Sequence, residues 1–518
     1  MEYISIFNDV LGPVMRGPSS SHTAGSFHIG AMARSLMNGK VKSATFTFDP
    51  NGSYARVYRQ QGVDLAFAAG ILGRQLTEEN FPNILKIAAQ KGINIKFKIA
   101  PLKKAEHPNT VMIDMCSPRG KKLRAIAKSI GGGVILFTRL DEWQVELTGK
   151  AYETVVICSQ SALPKVKELL SPETRSAIGP GNREQMGETV LHVRRSSPLP
   201  PGIEEQAGRV PGVKHIFSST PVYKVKKGDT LFLSSKEMVE LAAQRNNSLG
   251  QVALDYESQL LGQSKEKTIA EMIRRFEIMK KSAAAGLDEQ SVNMQLLEPT
   301  AGKIWQAAAD DKLAVGGIHT RAAVRAMAVM HRNNSMGVVC AAPTGGSAGV
   351  IPGVTITLSE EKKLSPEDSA LALFAASAVG LIIARRATFA AEVAGCQVEI
   401  GAAGAMAAAA VVEIAGGSAA AAADAAAISL QNTMGSVCDL VQGMCEIPCH
   451  TRNAVAASGA FVCADLILGG YHNPIPLDET IDAVYAVGKM LPPELRCTAL
   501  GGLATTPSAL SLKRRCKI

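Results

Sequence analysis

The chain has 518 residues, which at roughly 150 residues per domain predicts about three domains. With 46% hydrophobic and 19% charged residues it can bury a sizeable core, so it is not a disordered tail. Aromatics at 5% exclude a stacking platform for single-stranded nucleic acid, and the +9 charge is scattered, with short clusters at Lys224–Lys227 and Lys513–Arg515, which fits a solvated surface or an anionic small substrate rather than a DNA-binding face.

In chain order, the loop Gly17–Ser21 leads into an amphipathic stretch, Ser26–Met37. An alternating strand, Val41–Phe48, stops at the turn Asp49-Pro50-Asn51-Gly52. The loop Ser129–Gly133 opens another strand, Val134–Phe137. Three strands (Tyr152–Ser159, Thr189–Arg195, Lys214–Val225) then alternate with helices at Leu163–Leu170 and Gly202–Val210, and a split extension of the preceding domain reads as well. From about Ser234 helical periodicity dominates, with apolar-faced segments at Lys236–Leu261, Lys265–Ala285 and Arg321–His331. Residues 365–470 are rich in Ala and Gly, so helices there can approach closely. The fold class is α+β: an N-terminal mixed α/β domain (1–150), a small ferredoxin-like unit (151–225), and a large all-α domain (235–518) that carries the cysteines discussed below.

The N-terminus has Glu2 and Asp9 and lacks the basic-then-apolar pattern of a leader. The longest uncharged apolar run, Ser369–Ala384, is shorter than the ~20 residues that span a bilayer. Ala402–Leu430 is interrupted by Glu413 and Asp424, so packed interior helices and no membrane partner are expected. Ten Cys without a secretory signal predict reduced thiols in a cytoplasmic compartment.

Three segments can carry chemistry. Cys396, Cys438 and Cys449 sit in AGCQVEIG, GSVCDLVQG and CEIPCHTRN. Core packing is one reading, since Cys438, Cys445 and Cys449 share a helical face at i, i+7, i+11, but Gly443 and Pro448 oppose an unbroken helix. A zinc site needs closely paired ligands, and only Cys445 and Cys449 approach that spacing. An iron–sulfur cluster tolerates long separations and suits Cys396, Cys438 and Cys449 better; three ligands leave one iron open as a Lewis acid. In the second segment, Gly17–Gly25, the hydroxyls and N–H groups of Ser19, Ser20, Ser21 and Thr23 at a helix mouth suit a carboxylate, with His22 as acid, base or donor; a helix cap with a satisfied His is the plainer reading. The third, Cys340–Gly349, places Thr344, Gly345, Gly346 and Ser347 in a loop able to cradle an anion, although it matches neither the P-loop nor the dinucleotide fingerprint.

Taken together, GPSSSHTAG, HPNT at 107–110, SIGGG at 129–133, APTGGSAGVIPG at 342–353, GCQVEIG, VCDLVQG, EIPCHTRN and TALGGLATTP at 498–507 resemble the iron–sulfur-dependent L-serine dehydratases. Residues 1 to about 225 resemble the family's β part and about 235–515 its α part, fused in that order. The resemblance implies a [4Fe–4S] cluster on Cys396, Cys438 and Cys449, and no pyridoxal phosphate. It implies loss of the β-hydroxyl and α-proton of L-serine to give pyruvate and ammonia. Ser19, Ser20, Thr23 and Thr344–Ser347 would bind the substrate, and Ser21 and His22 would be catalytic. A small amino acid is the expected partner, with no nucleic acid, in a homo-oligomer (dimer). In some relatives a C-terminal cysteine plugs the open iron, a role Cys516 could take.

The departures are specific. The family's Gly-His-Gly-Thr-Asp reads Gln60-Gln61-Gly62-Val63-Asp64, so Gln61 stands where a candidate base is usual, and an amide accepts no proton at pH 7. The segment before the first cluster cysteine reads Arg386–Glu392, and Leu440 replaces a proline after Cys438-Asp439. Pocket motifs change while cysteine motifs hold, so the same chemistry on another β-substituted amino acid, or a catalytically inactive iron–sulfur sensor, stays open. Arg386 would suit an acidic substrate or a plain surface.

Overall fold

In the computed structural model the described residues are 3–103, 105–170 and 187–515. They form two compact units, Ser21–Lys227 and Met1–Ser20 with Gly228–Ile518. The fold is α+β, with a mixed-sheet N-terminal region and a large helical C-terminal region.

The sheet unit is built on six strands in the order Asn94–Ile99, Ser43–Phe48, Thr110–Cys116, Lys122–Gly131, Val134–Leu140, Trp143–Leu147. Only the first pair is parallel. Alternation along Lys122–Gly131 buries Leu123, Ala125 and Ala127 on one face. There they join Phe46, Phe48, Tyr54 and Phe67 in a single core.

A second sheet has the order Val213–Ser219, Tyr152–Ser159, Glu188–Arg195, all antiparallel, with helices Leu163–Leu170 and Ile203–Gly208. Its central strand is apolar on both faces. Val155 and Ile157 enter the core of the large sheet, whereas Val156 and Cys158 pack with Val166, Leu170 and Leu191. Sharing of the first core makes residues 21–227 one unit. The last strand stops at Ser219, short of the expected Val225, because Pro221 has no N–H for a ladder.

Among its described residues the other unit is helical apart from one antiparallel strand pair, Val14–Arg16 with Val338–Cys340, and a single parallel bridge between Cys438 and Arg496, so the expected all-α description needs that correction. The periodic run Lys236–Leu261 is two helices, Ser235–Arg245 and Leu249–Leu261. Asn246 adopts a left-handed φ of 52°, and Ser248 and Gln251 form a reciprocal cap that starts the second helix. The first 20 residues belong here because the buried Glu257 carboxylate accepts hydrogen bonds from Ser5 Oγ (2.6 Å), Ile6 N (2.8 Å) and Phe7 N (3.1 Å). Pro366–Arg386 and Cys396–Ile414 are long and apolar enough to cross a membrane by length and composition, but 78% and 83% of their apolar windows are buried inside the chain.

Candidate functional site

The cysteine segments leave helical geometry where the sequence is punctuated. Gly395, at φ 77°, sets up a 3₁₀ turn at Cys396–Val398; Cys438 lies in an extended segment; Cys449 is the first residue of helix Cys449–Leu468. The stretch from Cys438 to Cys449 is not one helix, since a 3₁₀ turn at Val441–Gly443 interrupts it. Glu446 anchors it by accepting from the N–H groups of Gln295, Leu296 and Leu297 at 2.7–2.8 Å.

These segments bring the three predicted cysteines together. Cys396, Cys438 and Glu399 offer ligand atoms within 4.8 Å of one another. Cys449 lies outside that tightest set, but its thiol pairs with Cys445 and is within electrostatic reach of Cys396 and Cys438. Cys497 joins from the far end of the chain, its Sγ 3.0 Å from that of Cys438. Donating its S–H to Cys438, and then burial, hold the Cys396 thiol well above its ordinary pKa; a hydrogen bond donated to Cys445 and burial do the same for Cys449. Packed thiols of this kind ionise when a cation compensates them, so the donor set fits a thiophilic metal centre. Arg452 adds a fixed positive charge, with Nη1 3.7 Å from Cys396 Sγ and 3.0 Å from Asp439 Oδ1.

The hydroxyl loop adjoins the thiols through Glu399. Thr344 Oγ1 donates to Glu399 Oε1 at 2.6 Å and lies 3.0 Å from Ser347 Oγ. A Cβ on Gly346 would fall 2.6 Å from Glu399 Oε1, so only glycine leaves room for that carboxyl. Burial, opposed by the Thr344 hydrogen bond, pushes Glu399 up to about 7. Ser19 and Ser20 complete the loop pair, since a Cβ on Gly345 would lie 3.1 Å from Ser20 N. Two asparagines hold it: Asn333 Nδ2 donates to the Pro18 and Gly345 carbonyls (3.0 Å each), and Asn453 Nδ2 donates to Gly346 O (2.9 Å) and Cys449 O (2.8 Å).

Ser21, His22 and Thr23 belong to the sheet unit. His22 Nε2 lies 2.7 Å from Ser53 Oγ, and its Nδ1 lies 3.4 Å from Ser21 Oγ. Burial and then His107 lower its pKa to about 4, so the imidazole is neutral at pH 7. Thr23 Oγ1 donates to the Gln61 carbonyl at 2.9 Å. The Gln61 side chain is buried, and its Oε1 has no hydrogen-bond partner among the described residues.

The family model described as Serine dehydratase alpha chain matches residues 238–504. The chain belongs to the iron–sulfur L-serine dehydratase family. It is 36% identical over 285 residues to the probable L-serine dehydratase alpha chain of Bacillus subtilis, covering 55% of this chain and 95% of that protein. It is 32% identical over 282 residues to the L-serine dehydratase alpha chain of Peptoniphilus asaccharolyticus, covering 54% of this chain and 97% of that one. The probable beta chain of Bacillus subtilis is 38% identical over 157 residues, 30% of this chain and 69% of that protein. Beta-type and alpha-type parts are therefore fused, in an enzyme of the lyase class.

For a dehydratase of this family, sequence reasoning missed Glu399, Asn333, Asn453, Arg452 and Cys497. Glu399, Arg452 and Asn453 lie inside the recognised GCQVEIG and EIPCHTRN motifs, so a signal was present; Asn333 and Cys497 carried none. Arg386 is engaged by Asp482 (Nε to Oδ1, 3.0 Å), which removes it as an argument for an acidic substrate. Cys516 lies outside the described residues.

Proposed function

We propose that this chain is an L-serine dehydratase that converts L-serine to pyruvate and ammonia at a [4Fe–4S] centre held by Cys396, Cys438 and Cys449. The observation that carries the reading is the convergence, within one unit, of those thiols with Glu399 and the Thr344–Ser347 loop. When bound, the cluster supplies a Lewis acid that makes the β-hydroxyl a better leaving group.

The chain's own residues supply the rest. Ser19, Ser20, Thr23, Thr344, Gly345, Gly346 and Ser347 are the proposed contacts for the substrate's carboxylate and amine, through hydroxyls and backbone N–H groups. His22 and Ser21 are the proposed catalytic pair: the neutral imidazole presents a ring-nitrogen lone pair at pH 7, which the amide of Gln61 does not. Burial of Thr344, Ser347 and all three cysteines keeps bulk water from the reacting atoms. The reading calls for no pyridoxal phosphate, nucleic acid or membrane. It goes with a reducing cytoplasmic setting, a homodimer, and a ferredoxin-like description of residues 151–225.

Gln61 favours a second reading, in which the same centre serves another β-substituted amino acid or senses rather than catalyses. Anaerobic purification with iron and sulfide analysis, followed by a 2-oxo acid assay on L-serine, separates these. Bound iron with pyruvate formation supports the dehydratase. Bound iron with inert serine moves the chemistry to the second reading, and absence of iron removes the centre.

A further inference from the structure

Arg452 lies on the first turn of the helix that begins at Cys449, and its side chain reaches back across the thiols. Nη1 donates to the Val437 carbonyl at 2.7 Å, one residue before Cys438, and to Cys396 Sγ at 3.7 Å. One guanidinium therefore touches all three cysteine segments, and it does so as a cation hydrogen-bonded to a sulfur. Its charge is opposed on one side, where Asp439 Oδ1 lies 3.0 Å from Nη1 and the Asp439 side chain is only 4% exposed. Asp439 is itself fixed. Its Oδ2 accepts from Leu503 N at 2.9 Å, and a Cβ on Gly502 would fall 2.6 Å from that oxygen. A charged pair set this far inside gains little stability, because desolvation offsets the attraction, so stability is a poor reason for keeping both charges beside the thiols.

We propose that Arg452 is a positioning residue of the metal centre: it holds the Cys396, Cys438 and Cys449 segments in register, and its charge, opposed by Asp439, sets how readily the centre gains or loses an electron. The proposal rests on reading the pocket as an iron–sulfur site. Electron uptake adds one negative charge to such a site, so a cation hydrogen-bonded to a sulfur raises the reduction potential and a neighbouring carboxylate lowers it. Dehydration itself transfers no net electron. What the arginine governs is the resistance of the centre to oxidation. Glu399 is a further acidic group within electrostatic reach of Cys396, and it stays unchanged in the variants that test the idea.

The test uses the full-length protein loaded anaerobically with iron and sulfide. Reduced and oxidised centres are counted by electron paramagnetic resonance while the solution potential is stepped, so protein without iron does not enter the ratio. At one fixed potential, Arg452→Gln is expected to show roughly 10-fold less reduced centre relative to oxidised than wild type, a fall of about 59 mV for one electron. Asp439→Asn keeps an oxygen for Leu503 N and is expected to move the ratio the other way. Arg452→Lys keeps the charge and is expected to recover most of the loss. A wild-type ratio in Arg452→Gln overturns the proposal. So does a shift of Asp439→Asn in the same direction as Arg452→Gln, which is what loosened packing alone would give. Should Arg452→Gln take up no iron, the sign of the Asp439→Asn shift decides. If wild type itself takes up no iron, the proposed function fails and the role of Arg452 fails with it. If wild type loads about four irons and forms pyruvate while the variants leave the ratio unchanged, the inference about Arg452 alone is wrong.

Discussion

Asn453 Nδ2 donates to the Gly346 carbonyl at 2.9 Å, tying the helix that begins at Cys449 to the hydroxyl loop. Its Oδ1 accepts from Gly349 N at 3.2 Å, so one buried amide holds the loop at both Gly346 and Gly349. Replacing Asn453 by Ala orphans buried backbone groups, at roughly 1–3 kcal/mol for each group left unsatisfied. Thermal or denaturant unfolding should show that loss, together with faster iron release from loaded protein. A variant as stable as wild type would mean that the clamp is dispensable.

Gly346→Ala tests the position of Glu399. The added Cβ would lie 2.6 Å from Glu399 Oε1, so the carboxyl has to move while the cysteines stay in place. Retained iron with serine turnover reduced by roughly 10²-fold is expected, as for a misplaced group in a reacting site. Steady-state kinetics beside iron analysis checks both halves.

Glu399→Gln keeps the shape and removes the acid. It leaves an acceptor for Thr344 Oγ1, so the fold should hold. Turnover is expected to fall by about 10²-fold or more if the carboxyl takes part in proton transfer. Unchanged kcat would assign Glu399 a purely structural part.

Acid should destabilise the sheet unit through its buried histidines. His28 Nδ1 lies 2.8 Å from Gly133 O, and burial lowers its pKa to about 4 despite that contact. A histidine with a folded-state pKa below its unfolded value binds fewer protons when folded. Stability is therefore full above about pH 6.5 and lost as pH falls toward 4, by up to about 3 kcal/mol per such group. His22 acts in the same direction. Denaturant midpoints from pH 7 to 4.5 should fall, and His28→Gln should flatten the slope.

Glu257→Ala should loosen the first 20 residues from the helical unit. It removes the acceptor of Ser5 Oγ and of the Ile6 and Phe7 N–H groups, at a cost of at least about 2 kcal/mol. Limited proteolysis should cut within residues 3–20 of the variant before it cuts wild type.

The sequence by itself determined the α+β class, the family and the three cysteine segments. It also marked elements bounded by local signals: strand Tyr152–Ser159 and helix Leu163–Leu170 lie where alternation and periodicity put them. Turn residues and side-chain period are read within a few neighbours, so such features are local. The break at Asn246 was also local, but an apolar face continuing on both sides hid it. Tertiary structure alone decided which groups meet. Ser5 reaches Glu257 across 252 residues, and Cys438 reaches Cys497 across 59. Neither pairing leaves a periodic trace, because each depends on how distant segments pack. That packing also made residues 21–227 one unit: Val155 and Val156 face opposite sides of one strand, and only the first shares the core of the larger sheet.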